Sequence, residues 1–210
     1  PMLPKYYTCA DINADNVLLN AIPVGLSSVE VETVSFDFSE KFTVIAHKSL
    51  FDSCVIQGIA ELLALYYNNR LSVIDCYDTF ESSEMNYTYI HGKEEIEKYI
   101  HTIFEEALYR HNHYNDCVKA DKVAPVYEEK AILFCGIGRL ITSLSAEIKG
   151  DFMEMLDKVG VKHNLRYIIY DKVSELSILN NVRSFAERTN QTSYIWAGDG
   201  YSEQYVLPAV

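Results

Sequence analysis

Positive charge is scarce in this chain. Its 210 residues carry 18 Lys+Arg against 30 Asp+Glu, a formal net charge of -12. Such a surface repels the phosphate backbone of nucleic acid and the head groups of anionic lipid, so neither is expected as a partner. A nucleotide is not excluded, because it needs only a local site. Long apolar runs are missing as well. No stretch supplies the roughly 20 apolar residues of a membrane-spanning helix, and no signal-peptide pattern is visible. Any membrane connection is therefore expected outside these residues. The chain opens on Pro1 rather than Met, and we read it as an excerpt of a longer polypeptide. Cysteine is sparse and unpaired in pattern. Cys9, Cys54, Cys76, Cys117 and Cys135 are odd in number and form no CxxC. They read as buried thiols in a reducing compartment, which points to the cytosol. Internal repeats, low-complexity tracts and linkers are also absent, so residues 1–210 are expected to form one domain.

What the sequence does contain is an alternation of strand and helix. Val31–Phe38 alternates apolar and polar residues as a half-buried strand does. "KFTVIAH" reads as a second strand, "FDSCVIQGIAELLALYY" as a helix apolar on nearly all sides, and "RLSVIDCYD" as a third strand. Lys93–His111 is the clearest amphipathic helix. Ile96, Tyr99, Ile100, Ile103, Phe104, Ala107 and Leu108 fall three and four apart, and the glutamates avoid that stripe. "YNDCVKADKVAPVYEE" reads as a loop and "KAILFCGIG" as a strand ending in glycines. A helix lies within Ser143–Val159, and "LRYIIYD" is the next strand. "VRSFAERT" follows as a short helix, "SYIWAG" as the last long strand, and "YVLPAV" as a small edge. This order implies an α/β fold with a mainly parallel sheet covered by helices on both faces. In such folds ligands sit at the carboxyl ends of the strands. Here that edge holds the loops after Ala46, Ile74, Cys135, Tyr170 and Ala197.

The loop "AHKSLFDSC" occupies the place of a phosphate loop but has no glycine and no Gly-Lys-Ser/Thr. A phosphate loop wraps phosphates with the backbone N–H groups its glycines expose, reaches them with Lys, and holds Mg²⁺ with Ser/Thr. Aligned on that motif, His47 stands at the first Gly and Asp52 at the second. Ser53 stands at the Lys and Cys54 at the Ser/Thr. Lys48 and Ser49 lie at the opposite end of the loop. Hydrolysis also needs a carboxylate after an apolar strand to hold Mg²⁺ and position water. Gly136 stands where "AILFCGIG" would carry it. Asp75 and Asp171 end other strands and could face the same edge, although a lone Asp there is more often a turn or cap residue. His111 and His113, in "RHNHYND", sit where a helix is expected to end and do not face each other on a helix, so they read as dipole-favoured residues rather than a metal pair. In "IWAGDGYSEQY", two glycines bracket Asp199 in a tight turn, and Trp196, the sole Trp, reads as core.

Together these segments resemble the FtsK/SpoIIIE-type ATPase domains of the type VII secretion coupling proteins, the EssC/YukB group. "AIPVGLSSVEVETVSFDFSEKFTVIAHKS" is similar to the entry of such a domain, with "PMLPK" like the segment just upstream and "SYIWAGDGYSEQYVL" like the ending of the last domain. The resemblance implies a RecA-like P-loop NTPase fold over the whole chain. It implies the final, degenerate ATPase-like domain in a row of such domains, on the cytoplasmic side of a membrane-anchored parent. The departures at His47, Lys48, Ser49, Asp52, Ser53, Cys54, Gly136 and Asp75 imply little or no hydrolysis and no resident cofactor, with ATP and Mg²⁺ left as the one cofactor the fold could still take. The partners implied are secreted helical-hairpin substrates or their chaperones and the neighbouring ATPase domains of the same chain, with a hexamer as one arrangement of the parent. The alternative reading is an unorthodox ATPase using Lys48, Ser49, Asp75 or Asp171.

Overall fold

The computed structural model describes residues 18–26, 33–47, 53–80, 86–182 and 192–197. Six parallel strands form one sheet: β3 (Phe42–His47), β4 (Leu71–Asp75), β5 (Thr88–His91), β6 (Lys130–Cys135), β7 (Leu165–Lys172) and β8 (Thr192–Ala197), in the order β5-β4-β6-β7-β3-β8. β1 (Ile22–Leu26) and β2 (Thr33–Phe36) pair antiparallel with each other in a separate two-stranded unit. The expected strand at Val31–Phe38 is therefore β2, and its partner is the "IPVGL" phrase of the entry segment.

Strands buried on both faces must be apolar at nearly every position. β7 is buried at seven of its eight positions; five are apolar or aromatic, and the two charged ones, Arg166 and Asp171, are held by hydrogen bonds. Its side chains alternate between two cores. Leu165, Tyr167 and Ile169 face a core completed by helices α2 (Lys93–Lys119), α3 (Ile137–Ser143) and α4 (Ala146–Lys158). Ile168 and Tyr170 face a second core completed by α1 (Ser53–Tyr67) and the β1–β2 unit. Each such Ile or Leu contributes about 1.5–3 kcal/mol by leaving water.

The helices differ from expectation in two places. α2 does not end near His111 but continues to Lys119, taking in the first residues of the expected loop. A local interaction lets it continue. Arg110, buried, pairs with Glu106 one turn back at 2.6 Å and donates to the carbonyls of Glu128, His163 and Asn164. Lys130 meets the same Glu106 carboxylate at 2.8 Å. α3 starts immediately after Gly136, where the sequence reading placed only the glycines of a strand end. The short β5 was also missed, because "TYIH" offers only one fully buried position. The helix expected at "VRSFAERT" and the edge at "YVLPAV" lie outside the described residues.

The winding of the sheet reverses around β3. From β3 the chain crosses to β4 and β5, returns through β6 to β7, and then steps over β3 to β8. The carboxyl ends of β3 and β7 therefore meet at the point where an open parallel sheet offers a crevice.

Candidate functional site

His47 closes β3 at this crevice. It is buried and stacks on Tyr170 of β7 with ring centroids 4.9 Å apart. Burial, and then the neighbouring Lys172 ammonium, hold its pKa below the usual imidazole value. It is a neutral packing residue in the position aligned with the first glycine of a phosphate loop. Lys48, Ser49 and Asp52 lie outside the described residues. Ser53 and Cys54 are the first two residues of α1, with only their backbone described.

Asp75 ends β4 and is fully buried. Its carboxylate accepts from the backbone N–H of Tyr77 at 2.9 Å, of Thr79 at 2.8 Å and of Phe80 at 3.3 Å, and from the Tyr89 hydroxyl at 3.0 Å. These four donors tie down the loop leaving β4. Asp75 is thus a turn-organising residue, the commoner fate of an Asp at a strand end.

Asp171, near the end of β7, is also fully buried. One of its oxygens accepts from the backbone N–H of Gly138 at 2.8 Å, and the other from that of Lys172 at 2.8 Å. Gly138 lies in the first turn of α3, whose N-cap, Gly136, has no side chain to offer. Asp171 therefore caps α3 from a neighbouring strand, satisfying a donor that a helix start leaves open. Burial raises its pKa, while the amide of Gly138 pulls the other way.

Gly136 follows the last residue of β6 with φ +89, a conformation that L side chains rarely adopt. The space beside it is filled by Tyr77. A Cβ at Gly136 would lie 2.5 Å from the Tyr77 ring. That ring carries the Arg139 guanidinium 5.4 Å from its centroid and holds its hydroxyl 3.5 Å from Asp171. Burial and then the Asp171 charge push the Tyr77 hydroxyl up to about 12, so it stays a donor. Two residues on, a Cβ at Gly138 would lie 2.6 Å from the Glu175 carboxylate. The pair of glycines in "CGIG" thus makes room for two side chains arriving from other loops.

Sequence reasoning missed Tyr77. Nothing in "DCYDTF" distinguishes it from other aromatic loop residues, and only the strand order places it over Gly136. The two histidines singled out as a candidate pair separate as expected from their spacing. His111 lies 5.2 Å from the His163 ring, whereas His113 lies against Tyr109 and Tyr127. Among the described residues, no group of three or more His, Cys, Asp or Glu is placed to hold a metal ion. No helix among them is long and apolar enough to cross a membrane. The Trp196 side chain and the Asp199 turn lie outside the described residues.

No family model matches the chain, and no curated protein does. Solved structures do. The cytoplasmic domain of EssC matches over 100% of this chain and 43% of its own length, with a TM-score of 0.72 and 17% identity. EssC (ATPases 2 and 3) from Geobacillus thermodenitrificans matches over 100% and 40%, with a TM-score of 0.68 and 17% identity. Thermomonospora curvata EccC (ATPases 2 and 3), solved in complex with a signal sequence peptide, matches over 100% and 40%, with a TM-score of 0.63 and 15% identity. The chain spans less than half the length of each of these. Six parallel strands in the order β5-β4-β6-β7-β3-β8, helices on both faces and these neighbours together give the conclusion: the fold is the α/β, RecA-like fold of the EssC-type and EccC-type ATPase domains.

Proposed function

We propose that this chain is an ATPase-like domain of a type VII secretion coupling protein that has lost hydrolysis and works by protein recognition. Its partners are secreted substrates or their chaperones and the adjacent ATPase domains of a longer, membrane-anchored parent. The observation that carries this reading is the end of β6. A hydrolytic site needs a carboxylate there for Mg²⁺ and water, but the position is Gly136 and the Tyr77 ring occupies the room a side chain would need. Asp75 and Asp171, the two nearby carboxylates, already accept from main-chain amides. The described residues on the metal side of the crevice therefore do not fit a magnesium-bound triphosphate. A peptide-binding role is supported by one structural neighbour, the EccC fragment that holds a signal sequence peptide.

Calorimetric titration of Mg-ATP into the chain, with a phosphate-release assay alongside, tests the loss of hydrolysis. The expected result is no turnover and no tight binding. Tight binding accompanied by turnover would overturn it. The recognition half is tested separately, by titrating signal peptides of co-encoded secreted proteins. Failure of every such peptide to bind would remove that half and leave a purely structural domain.

A further inference from the structure

The strongest unexplained group lies at the opposite end of the sheet. The turn from Gly160 to Asn164 joins α4 to β7, and His163 within it is fully buried. The His163 backbone N–H donates to the Gly160 carbonyl at 2.8 Å, and Nδ1 of its ring accepts from the Gly160 N–H at 3.2 Å. That acceptor role fixes the ring as neutral, with its proton on Nε2. Nε2 is itself buried and meets no acceptor among the described residues.

The groups that act most strongly on the ring are cationic or neutral. α2 contributes Arg110, His111 at 5.2 Å between ring centroids, and Tyr114 edge-on at 5.4 Å. The segment before β3 contributes the buried Lys41, whose stem runs so close to Gly160 that a Cβ there would meet it at 2.7 Å. The turn itself contributes Lys162, over the Tyr114 ring at 5.1 Å. Lys158, at the end of α4, acts on the adjacent His111 but is itself paired with Glu154 at 2.6 Å, whose carboxylate acts on His111 in the opposite sense. Two carboxylates of α4 lie in the second layer, Glu154 acting on His111 and Asp157 on Lys41, while the largest influences on His163 itself after burial are cationic or imidazole groups.

The same turn fastens the return segment at residues 122–129. Arg110 Nη1 donates to the carbonyls of Glu128, His163 and Asn164 at 2.8, 2.9 and 3.3 Å. The Asn164 side-chain amide donates to the Tyr127 carbonyl, and the Lys130 N–H donates to the Asn164 carbonyl at 3.0 Å.

We infer that His163 is an acid-sensitive latch. A second ring proton turns Nδ1 from an acceptor into a donor facing the Gly160 N–H, adds a cation to a corner of cations, and releases the turn together with the return segment. Burial first, then Lys162, His111, Lys41 and Arg110, hold its pKa down to about 4 from the ordinary 6.5. With the folded value depressed, the unfolded chain binds the proton first. The stability the latch confers is complete above 6.5 and is lost as pH falls from there toward about 4.

Hydrogen exchange on the whole chain, stepped downward from neutral pH, tests this. The expected result is early loss of protection at Gly160 and Lys130, while Ile168 in β7 stays protected. His163→Asn keeps an acceptor for Gly160 but cannot titrate, and should abolish that early step. The same profile in the variant and the parent would overturn the latch, as would Gly160 staying protected until the sheet itself opens. If His163→Asn does not fold, Lys162→Gln serves instead. Removing that ammonium lets the folded pKa rise toward the unfolded value, so the acid-driven loss shrinks and the release should move to lower pH; an unmoved midpoint counts against the proposal. Ring nitrogen shifts at neutral pH give a further check, because a doubly protonated His163 is incompatible with it.

Discussion

At the scale of single residues, the carboxyl edge of the sheet is built from atoms that have each been given a structural task. Asp75 holds three backbone amides and a phenol, Asp171 caps α3, and Gly136 yields its space to Tyr77. Gly136→Asp would reinstate a carboxylate in sequence only. A side chain at φ +89 costs about 1–3 kcal/mol in strain, before the Tyr77 ring is displaced. We expect the variant to unfold at lower urea concentration and to gain no phosphate release. Asp75→Ala leaves one buried amide, that of Phe80, and three part-buried donors without an acceptor, at about 1–3 kcal/mol for each group not rescued by water. The loss should be the same with and without Mg-ATP in a thermal-shift measurement. A loss confined to the nucleotide-bound state would instead place Asp75 in a binding site.

At the scale of elements, α2 shows where sequence reading succeeds and where it stops. The stripe from Ile96 to Ala107 was legible because burial repeats every three or four residues against one core. The extension from Asn112 to Lys119 was not, since none of those residues is fully buried. Its support is the buried Arg110 guanidinium, whose carbonyl partners lie on two other segments. β5 and α3 escaped for a related reason, each being too short to display a period. The chemistry of the edge was half legible. The strand ends and the missing carboxylate were on the page, but the ring filling the gap comes from a loop unremarkable in sequence. Arg110→Met should therefore cost about 1–3 kcal/mol, the range for leaving buried carbonyls without a donor, because the Glu106 left behind is 33% exposed and keeps Lys130. Urea denaturation measures it. Val123→Lys and Val126→Lys are the contrasting case. Both side chains are almost wholly exposed, at 93% and 90%, and their replacement should change stability by about 0.5 kcal/mol or less.

At the scale of the whole molecule, net charge sets the outward behaviour. With a formal charge of -12, the chain should show no mobility shift with duplex DNA and no sedimentation with anionic vesicles at physiological salt. Binding to either would require a concentrated basic surface. Added salt screens self-repulsion, so moderate salt should raise the unfolding midpoint slightly. The winding of the sheet has a different consequence, one of timing. β3 is made well before its partners, since Phe42 pairs with Tyr167 on one side and Thr192 on the other. Neither neighbour exists until most of the chain has left the ribosome. β4, β5 and β6 can assemble among themselves first, while β3, buried at every position in the finished fold, waits with both hydrogen-bonding edges open. Such long-range pairing is slow to form. The β7-β3-β8 side of the finished sheet is thus the last part to close, and the nascent chain is most exposed to aggregation or chaperone capture during that wait.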